Sequence, residues 1–266
     1  MKVEFKGKLG LYKIIETEDR TKTLWSEYFN EACHNLSGAY EETLYNYIEG
    51  CDIPSQIKSP DEVHVLDVGF GLGIGLKALL DTLKTSSEIN KALTYSSIEL
   101  DEDLFLWSIQ NTFPGHEFKR RLFINSHNEE IPYYETNIFI NNETHLKATI
   151  FIGDGRKTLK SAFEKKILPL FTAIFQDAFS PKKNPTLWTT EWFNECKTMS
   201  STKVLLSTYS SSVSVRKSLL ASGWFISNEK GFAMKRTMTK ARLIGETNEA
   251  LLVELSRSPT LELRDS

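Results

Sequence analysis

The rhythm of apolar and polar positions changes near residue 60. Before it, Leu9 to Ile15 and Thr21 to Trp25 are short strand-like runs around the polar Glu16-Thr17-Glu18-Asp19-Arg20, a pattern that predicts a hairpin. Ser37 stands where a helix N-cap belongs, with Glu41 and Glu42 close behind and the apolar stripe Leu44, Tyr45 and Ile48 after them. From Val63 the chain alternates between strand and helix patterns. Val63 to Gly69 is an apolar run followed by glycines and the helical Leu76 to Lys84. Leu93 to Leu100 predicts a second strand and Asp103 to Asn111 a helix. Further strands end at Asp154, cover Phe171 to Gln176 and cover Val204 to Tyr209, with a helix over Val213 to Ala221. Alternation of this kind predicts an α/β fold with parallel strands joined by right-handed crossovers.

Two stretches depart from the alternation. Ile138 to Ile140 and Leu146 to Ile152 flank Asn141-Asn142-Glu143, which predicts an inserted β-hairpin. After a last strand over Thr237 to Leu243, the polar remainder predicts a mobile tail.

Composition removes several classes. With 40% hydrophobic and 25% charged residues and a net charge of −3, the 266-residue chain has the make-up of an ordinary globular protein. No segment approaches the run of about 20 apolar residues that a membrane span requires, so no membrane partner is expected. Cys33, Cys51 and Cys196 are odd in number and scattered, which argues against a disulfide scaffold or zinc ribbon and for a cytoplasmic location. His34, His64, His116, His127 and His145 lack ligand spacing, so no metal is expected.

Open α/β sheets bind ligands at the carboxyl ends of their strands, and four such ends carry candidate chemistry. The first is Gly69-Phe70-Gly71-Leu72-Gly73, a glycine-rich turn between strand and helix that lets backbone approach a ligand closely. The dinucleotide fingerprint needs glycine at relative position six, where counting from Gly69 finds Ile74, so that fingerprint fails. The G-x-G-x-G spacing instead suits S-adenosylmethionine, which has no pyrophosphate to cradle. Glu99 closes the second strand, where a carboxylate can accept both ribose hydroxyls. Asp154, between Gly153 and Gly155, can accept an adenine amine, although Gly-Asp-Gly by itself is equally a turn. Asp177, at the fourth end, can orient an amine and hold its proton, with Phe179 offering a face to a planar base. An aspartate N-cap beside a core phenylalanine would look the same.

Charge is uneven along the chain. Residues 201–242 hold eight lysines and arginines against Glu229, while Lys182-Lys183 and Lys119-Arg120-Arg121 form two further basic runs. That distribution suits a polyanionic substrate on one face, or a solvated surface.

The stretch from Asp177 to Thr189 (DAFSPKKNPTLWT) resembles the D-G-F-A-P-x-K-N-P-x-M-W motif of the methyltransferase domain of tRNA 5-methylaminomethyl-2-thiouridine biosynthesis proteins (MnmC-like). The turn after Val68, the Thr208 to Ser212 stretch with Val215-Arg216-Lys217 and Gly223, and Lys230-Gly231-Phe232 with Lys235-Arg236 and Met238 are similar to further motifs of that family. Tyr28-Phe29 and Glu41-Glu42-Thr43 match its Y-F and E-E-[TS] segment. The resemblance implies a class I S-adenosylmethionine-dependent methyltransferase with a Rossmann-like open sheet. Its reaction would convert 5-aminomethyl-(2-thio)uridine to 5-methylaminomethyl-(2-thio)uridine at the tRNA wobble position. Gly69, Phe70, Gly71, Gly73, Glu99 and Asp154 would then hold the cofactor, and Asp177 would meet the amine, with Phe179 and Lys183 near the substrate. The implied organisation is an N-terminal hairpin and helix extension (1–60), a methyltransferase domain (61–243) and a C-terminal tail (244–266), without the FAD-dependent oxidase fused behind many members. Gly75, Gln176 and Ala178 depart from the family's asparagine, leucine and glycine. Methylation of a small amine or protein, aminopropyl transfer, and cofactor binding without turnover are the alternatives.

Overall fold

A computed structural model describes residues 4–86, 89, 91–141, 144–233 and 237–266. Strands β1 (Glu4–Gly7), β2 (Gly10–Glu16), β3 (Lys22–Ser26) and β4 (Glu31–Ala32) form a four-stranded antiparallel sheet. The predicted hairpin is β2–β3, with Glu16 opposite Lys22. Helix α1 (Ala39–Thr43) runs directly into a π-helical turn over Leu44–Glu49, and α2 (Ile53–Lys58) follows. Ser37 does not cap α1: the N-cap position falls on Gly38 and no side chain caps it. Asn35 instead organises this entry, its side-chain Oδ1 accepting from Ser37 N–H at 3.0 Å and its backbone N–H donating to Glu42 at 2.7 Å.

The central sheet has nine strands. In chain order they are β5 (Val63–Val68), β6 (Ala92–Glu99), β7 (Lys119–Ile124), β8 (Glu130–Phe139), β9 (His145–Ile152), β10 (Phe171–Phe175), β11 (Ser200–Thr208), β12 (Phe225–Lys230) and β13 (Thr237–Arg242). Their order across the sheet is β12-β13-β11-β10-β5-β6-β9-β8-β7. The middle five strands are parallel, while β13, β12, β8 and β7 add antiparallel margins, so the sheet is mixed. The inserted hairpin is present as β8–β9, with β7 as a further edge strand that its charged text concealed. Asn142 and Glu143, at its tip, lie outside the described residues.

Helices α3 (Ile74–Thr85), α4 (Glu102–Thr112), α5 (Gly155–Glu164), α6 (Thr190–Thr198), α7 (Val213–Ala221) and α8 (Glu249–Arg257) complete three layers. Because successive strand residues face opposite ways, β5 sends Val63 and Val65 into one core and Leu66 and Val68 into the other. The first core packs the π turn, α2, α3 and α4 on the sheet, and the second packs α5 to α8 on its other face. The tail is docked rather than loose: Leu251 and Leu255 of α8 enter the second core. Leu263 beyond it accepts from Thr190 N–H at 2.9 Å.

Asp101 joins the two sheets. Fully buried, it caps α4 by accepting from Asp103 N–H at 2.9 Å. It also accepts from Leu9 N–H and the Tyr12 hydroxyl, each at 2.8 Å. The N-terminal sheet is therefore fixed beside the ends of β5 and β6.

The π turn is anchored by close approach. Ser207 Oγ donates to the Asn46 carbonyl, and a Cβ at Gly50 would land on that same carbonyl and on Ser207 Oγ. Gly50→Ala should therefore lower stability by at least about 2 kcal/mol, because rigid backbone cannot yield as a flexible side chain can. Denaturant unfolding checks this, with a shifted midpoint and an unchanged slope as the expected signature.

Candidate active site

The carboxyl ends of β5, β6, β9 and β10 converge because their registers are aligned: Asp67 pairs with Ser97 and with Phe175, and Glu99 with Ile152. Phe70 N–H donates to Ile98 O at 2.9 Å, and Gly153 N–H to Glu99 O at 2.8 Å, which draws the two loops together. A cavity of about 930 Å³ opens over these ends. Gly69, Phe70, Gly71, Glu99, Asp154, Asp177, Phe179 and Lys183 all line it. Gly73 does not: its φ of 74° starts α3, and a Cβ there would press on the rings of Phe113 and Phe70. Its place is in packing the turn, behind the cavity wall.

Gly69 and Gly71 hold φ angles of 115° and 52°, which side chains rarely adopt, and a Cβ on Gly69 would stand 3.1 Å from the Asp177 carbonyl. Phe70 lines the cavity from a core position, 2% exposed and with its ring centroid 5.3 Å from that of Phe105. Glu99 accepts from Gly71 N–H through one oxygen and from Asp101 N–H through the other, both at 3.0 Å. Burial nonetheless pushes its carboxyl up to about 7 against those two bonds. Asp154 caps α5 by accepting from Arg156 N–H at 3.1 Å and stays exposed to the cavity. It is thus both the helix cap and an available acceptor.

The departures from the family motif have structural explanations. Gly75 leaves room for the buried Asp67 carboxyl, on which a Cβ would fall, and Asp67 accepts from the Tyr95 hydroxyl. Burial pushes Asp67 up to about 7. Gln176 faces the core, donating to Leu187 O at 2.8 Å and accepting from Trp192 Nε1–H at 3.0 Å. Its polar ends are satisfied, so the exchange from leucine leaves the cavity wall alone. Ala178 O accepts from Tyr209 O–H at 2.9 Å and Phe179 O from Trp188 Nε1–H at 2.8 Å, fixing the loop after β10.

Asp177 meets residues that the sequence reading passed over. Tyr47, fully buried on the π turn, donates its hydroxyl to Asp177 Oδ1 at 2.5 Å, and His34 Nε2 lies 3.8 Å from Oδ2. Phe29 stacks on Phe179 with centroids 4.1 Å apart, and Glu31 accepts from Ser180 N–H at 3.0 Å. Burial and the carboxylates of Glu99, Asp177 and Glu31 push the Cys33 thiol well up, so it is no thiolate nucleophile. The Tyr28-Phe29 pair was the available signal that residues before 60 reach the site. Nothing in the spacing around His34 or Tyr47 distinguished them from ordinary polar and core positions.

Several residues of the basic runs are engaged within the protein. Arg216 is buried and donates to Thr239 and Thr237, Lys217 donates to Ser258 O, and Lys203 pairs with Asp61. Arg120 and Arg121 pair with Glu102 and Glu135. Lys235 and Arg236 lie outside the described residues. At the cavity itself the lysines are Lys157, Lys160 and Lys183, of which the sequence reading named the last.

Residues 124–244 match a family model described as S-adenosyl-L-methionine-dependent methyltransferase. This chain carries an S-adenosylmethionine-dependent methyltransferase domain. The enzyme is 28% identical to MnmC2 from Aquifex aeolicus, whose crystal structure matches 96% of this chain and 79% of that one with a TM-score of 0.69. A Methanocaldococcus jannaschii protein of uncharacterised function is 30% identical over 86% of this chain and 58% of its own length. The tRNA 5-methylaminomethyl-2-thiouridine biosynthesis bifunctional protein MnmC of Leptospira borgpetersenii is 29% identical over 85% of this chain. The methyltransferase spans about 35% of that bifunctional relative's length.

The cavity fits the cofactor on its own chemistry. Glu99 is a buried carboxyl that could accept from a diol, Asp154 an exposed one that could accept from an amine, and the space beside Gly71 is open. Among the described residues no group of three or more His, Cys, Asp and Glu side chains could hold a metal. Among them, too, no helix is long and apolar enough to cross a membrane.

Proposed function

We propose that this methyltransferase places a methyl group on the primary amine of 5-aminomethyl-(2-thio)uridine at the tRNA wobble position, giving 5-methylaminomethyl-(2-thio)uridine. The observation that carries the reading is the carboxylate of Asp177, held in the same cavity as Glu99 and Asp154 and beside the ring of Phe179. The names of the MnmC relatives supply the identity of the amine. In this reading Gly69 and Gly71 line the cofactor's path, Glu99 takes its ribose and Asp154 its adenine. Phe70 and Gly73 shape the turn from behind.

When bound, S-adenosylmethionine supplies an activated methyl group, so the protein's task is alignment and exclusion of water. An alkylammonium must lose its proton before its lone pair can act. Asp177 Oδ2 is the oxygen placed to take that proton and to orient the amine, since Oδ1 is held by Tyr47. Phe179 offers a face to the pyrimidine, backed by Phe29, and Lys157, Lys160 and Lys183 at the cavity suit flanking phosphates. Residues 1–60 then belong to the working site as an extension of the domain at 61–243, with 244–266 bracing α6 and α7.

Transfer of labelled methyl to tRNA that carries unmethylated aminomethyluridine, followed by nucleoside analysis, tests the reading. Label in 5-methylaminomethyl-(2-thio)uridine is the expected result. Cofactor binding by calorimetry without label in tRNA would discard the RNA substrate and redirect the search to small amines and proteins.

A further inference from the structure

We infer that Tyr47 and His34, supplied by the segment ahead of the central sheet, are positioning residues that fix the Asp177 carboxylate for the amine. The inference rests on the role of Asp177 proposed above. It assigns the π turn and the β4–α1 connection a part in turnover.

The geometry is asymmetric. A carboxylate at the end of a loop can rotate about its χ2 torsion, which is broad and roughly two-fold. Tyr47 O–H, 2.5 Å from Oδ1, removes that freedom by occupying one oxygen. Tyr47 is itself immobile: its ring packs on Phe175 with centroids 5.5 Å apart, and it is 2% exposed. Its phenol stays protonated, because burial first and the neighbouring Asp177 second push it well above its ordinary value. It therefore keeps a hydrogen to donate to Asp177.

Oδ2 faces His34, whose Nε2 lies 3.8 Å away. The other ring nitrogen, Nδ1, is 3.1 Å from Thr23 Oγ1, and the same oxygen accepts from His34 N–H at 3.1 Å. A hydroxyl that accepts from the backbone keeps its own hydrogen to donate. In the tautomer in which Thr23 donates to Nδ1, the imidazole proton sits on Nε2, on the side of Asp177. Thr23 is fully buried within β3, so this orientation is built into the N-terminal sheet. The sheet in turn is tied to the cofactor side of the cavity through Asp101.

The widened π turn makes Tyr47 available. Regular helix from α1 would carry this side chain to a different angle, and the turn is held by Ser207 on the Asn46 carbonyl. π turns inside helices recur where a side chain must be re-aimed at a site.

A double-mutant cycle on the full chain tests the inference. Tyr47→Phe, which removes only the hydroxyl, should lower kcat about tenfold while calorimetric affinity for S-adenosylmethionine changes less than twofold. His34→Gln should lower kcat severalfold with the same split. In an Asp177→Asn background, Tyr47→Phe should cost less than twofold further, since the carboxylate it positions is gone. A merely structural tyrosine would instead cost the same in both backgrounds, and that equality would overturn the inference. Unchanged kcat in Tyr47→Phe beside an inactive Asp177→Ala would overturn it as well, while sparing the role of Asp177. Near-normal turnover in Asp177→Ala would remove the role of Asp177 itself, and the inference with it.

Discussion

Asp177→Ala should lower methyl transfer at least about 100-fold and leave a folded protein that still binds S-adenosylmethionine. The size follows from what a positioned carboxylate contributes to proton removal, roughly 10²- to 10⁴-fold. The fold survives because Asp177 follows β10 rather than filling either core. Loss of the carboxylate also leaves the Tyr47 hydroxyl without the acceptor it has now, a local cost of about 1–3 kcal/mol. Single-turnover transfer with matched circular dichroism spectra measures both halves. A variant with near-normal turnover would place the proton acceptor elsewhere.

Glu99→Ala should weaken affinity for S-adenosylmethionine roughly ten- to hundredfold, the equivalent of about 1.5–3 kcal/mol for charge-assisted hydrogen bonds. The pH dependence carries more information than the size. Burial raises the carboxyl to about 7, so in the cofactor-free protein it takes up a proton as pH falls through that value. A diol donates best to the ionised form, and wild-type affinity should therefore fall on the acid side of about 7, approaching tenfold per pH unit. Glu99→Gln should bind weakly at every pH and lose the dependence. The sign for folding is opposite. A carboxyl raised in the folded state contributes stability that is complete below its unfolded value near 4 and is lost as pH rises through about 7. Isothermal titration between pH 5.5 and 8.5 decides the first point, and denaturant unfolding of the cofactor-free protein over the same range decides the second.

The readable parts of the fold were those fixed by local text. Alternating apolar strands and amphipathic helices located β5, β6, β10 and β11 with α3, α4 and α7, because burial on both faces demands such runs. Strand β7 was missed because its Lys-Arg-Arg opening marks a solvated edge, where no apolar run is required. Strand β12 was missed for the same reason, with three of its six residues exposed. Ser37 failed as a cap because Asn35 and Glu42 bond around it, an arrangement that spacing alone does not display. The tail was misjudged because α8 buries only Leu251 and Leu255, too sparse a stripe to announce docking.

The sequence by itself determined the strand-end residues proposed to hold the cofactor. Gly69, Glu99 and Asp154 each stand at the end of a strand, and parallel order brings such ends together wherever a sheet of this kind forms. Tertiary structure alone decided what surrounds Asp177. Tyr47 lies 130 residues before it and His34 further still, just past a separate sheet that Asp101 ties to the central one. Contacts of that range leave no period and no spacing in the chain. They arise only when the N-terminal segment packs against the central sheet.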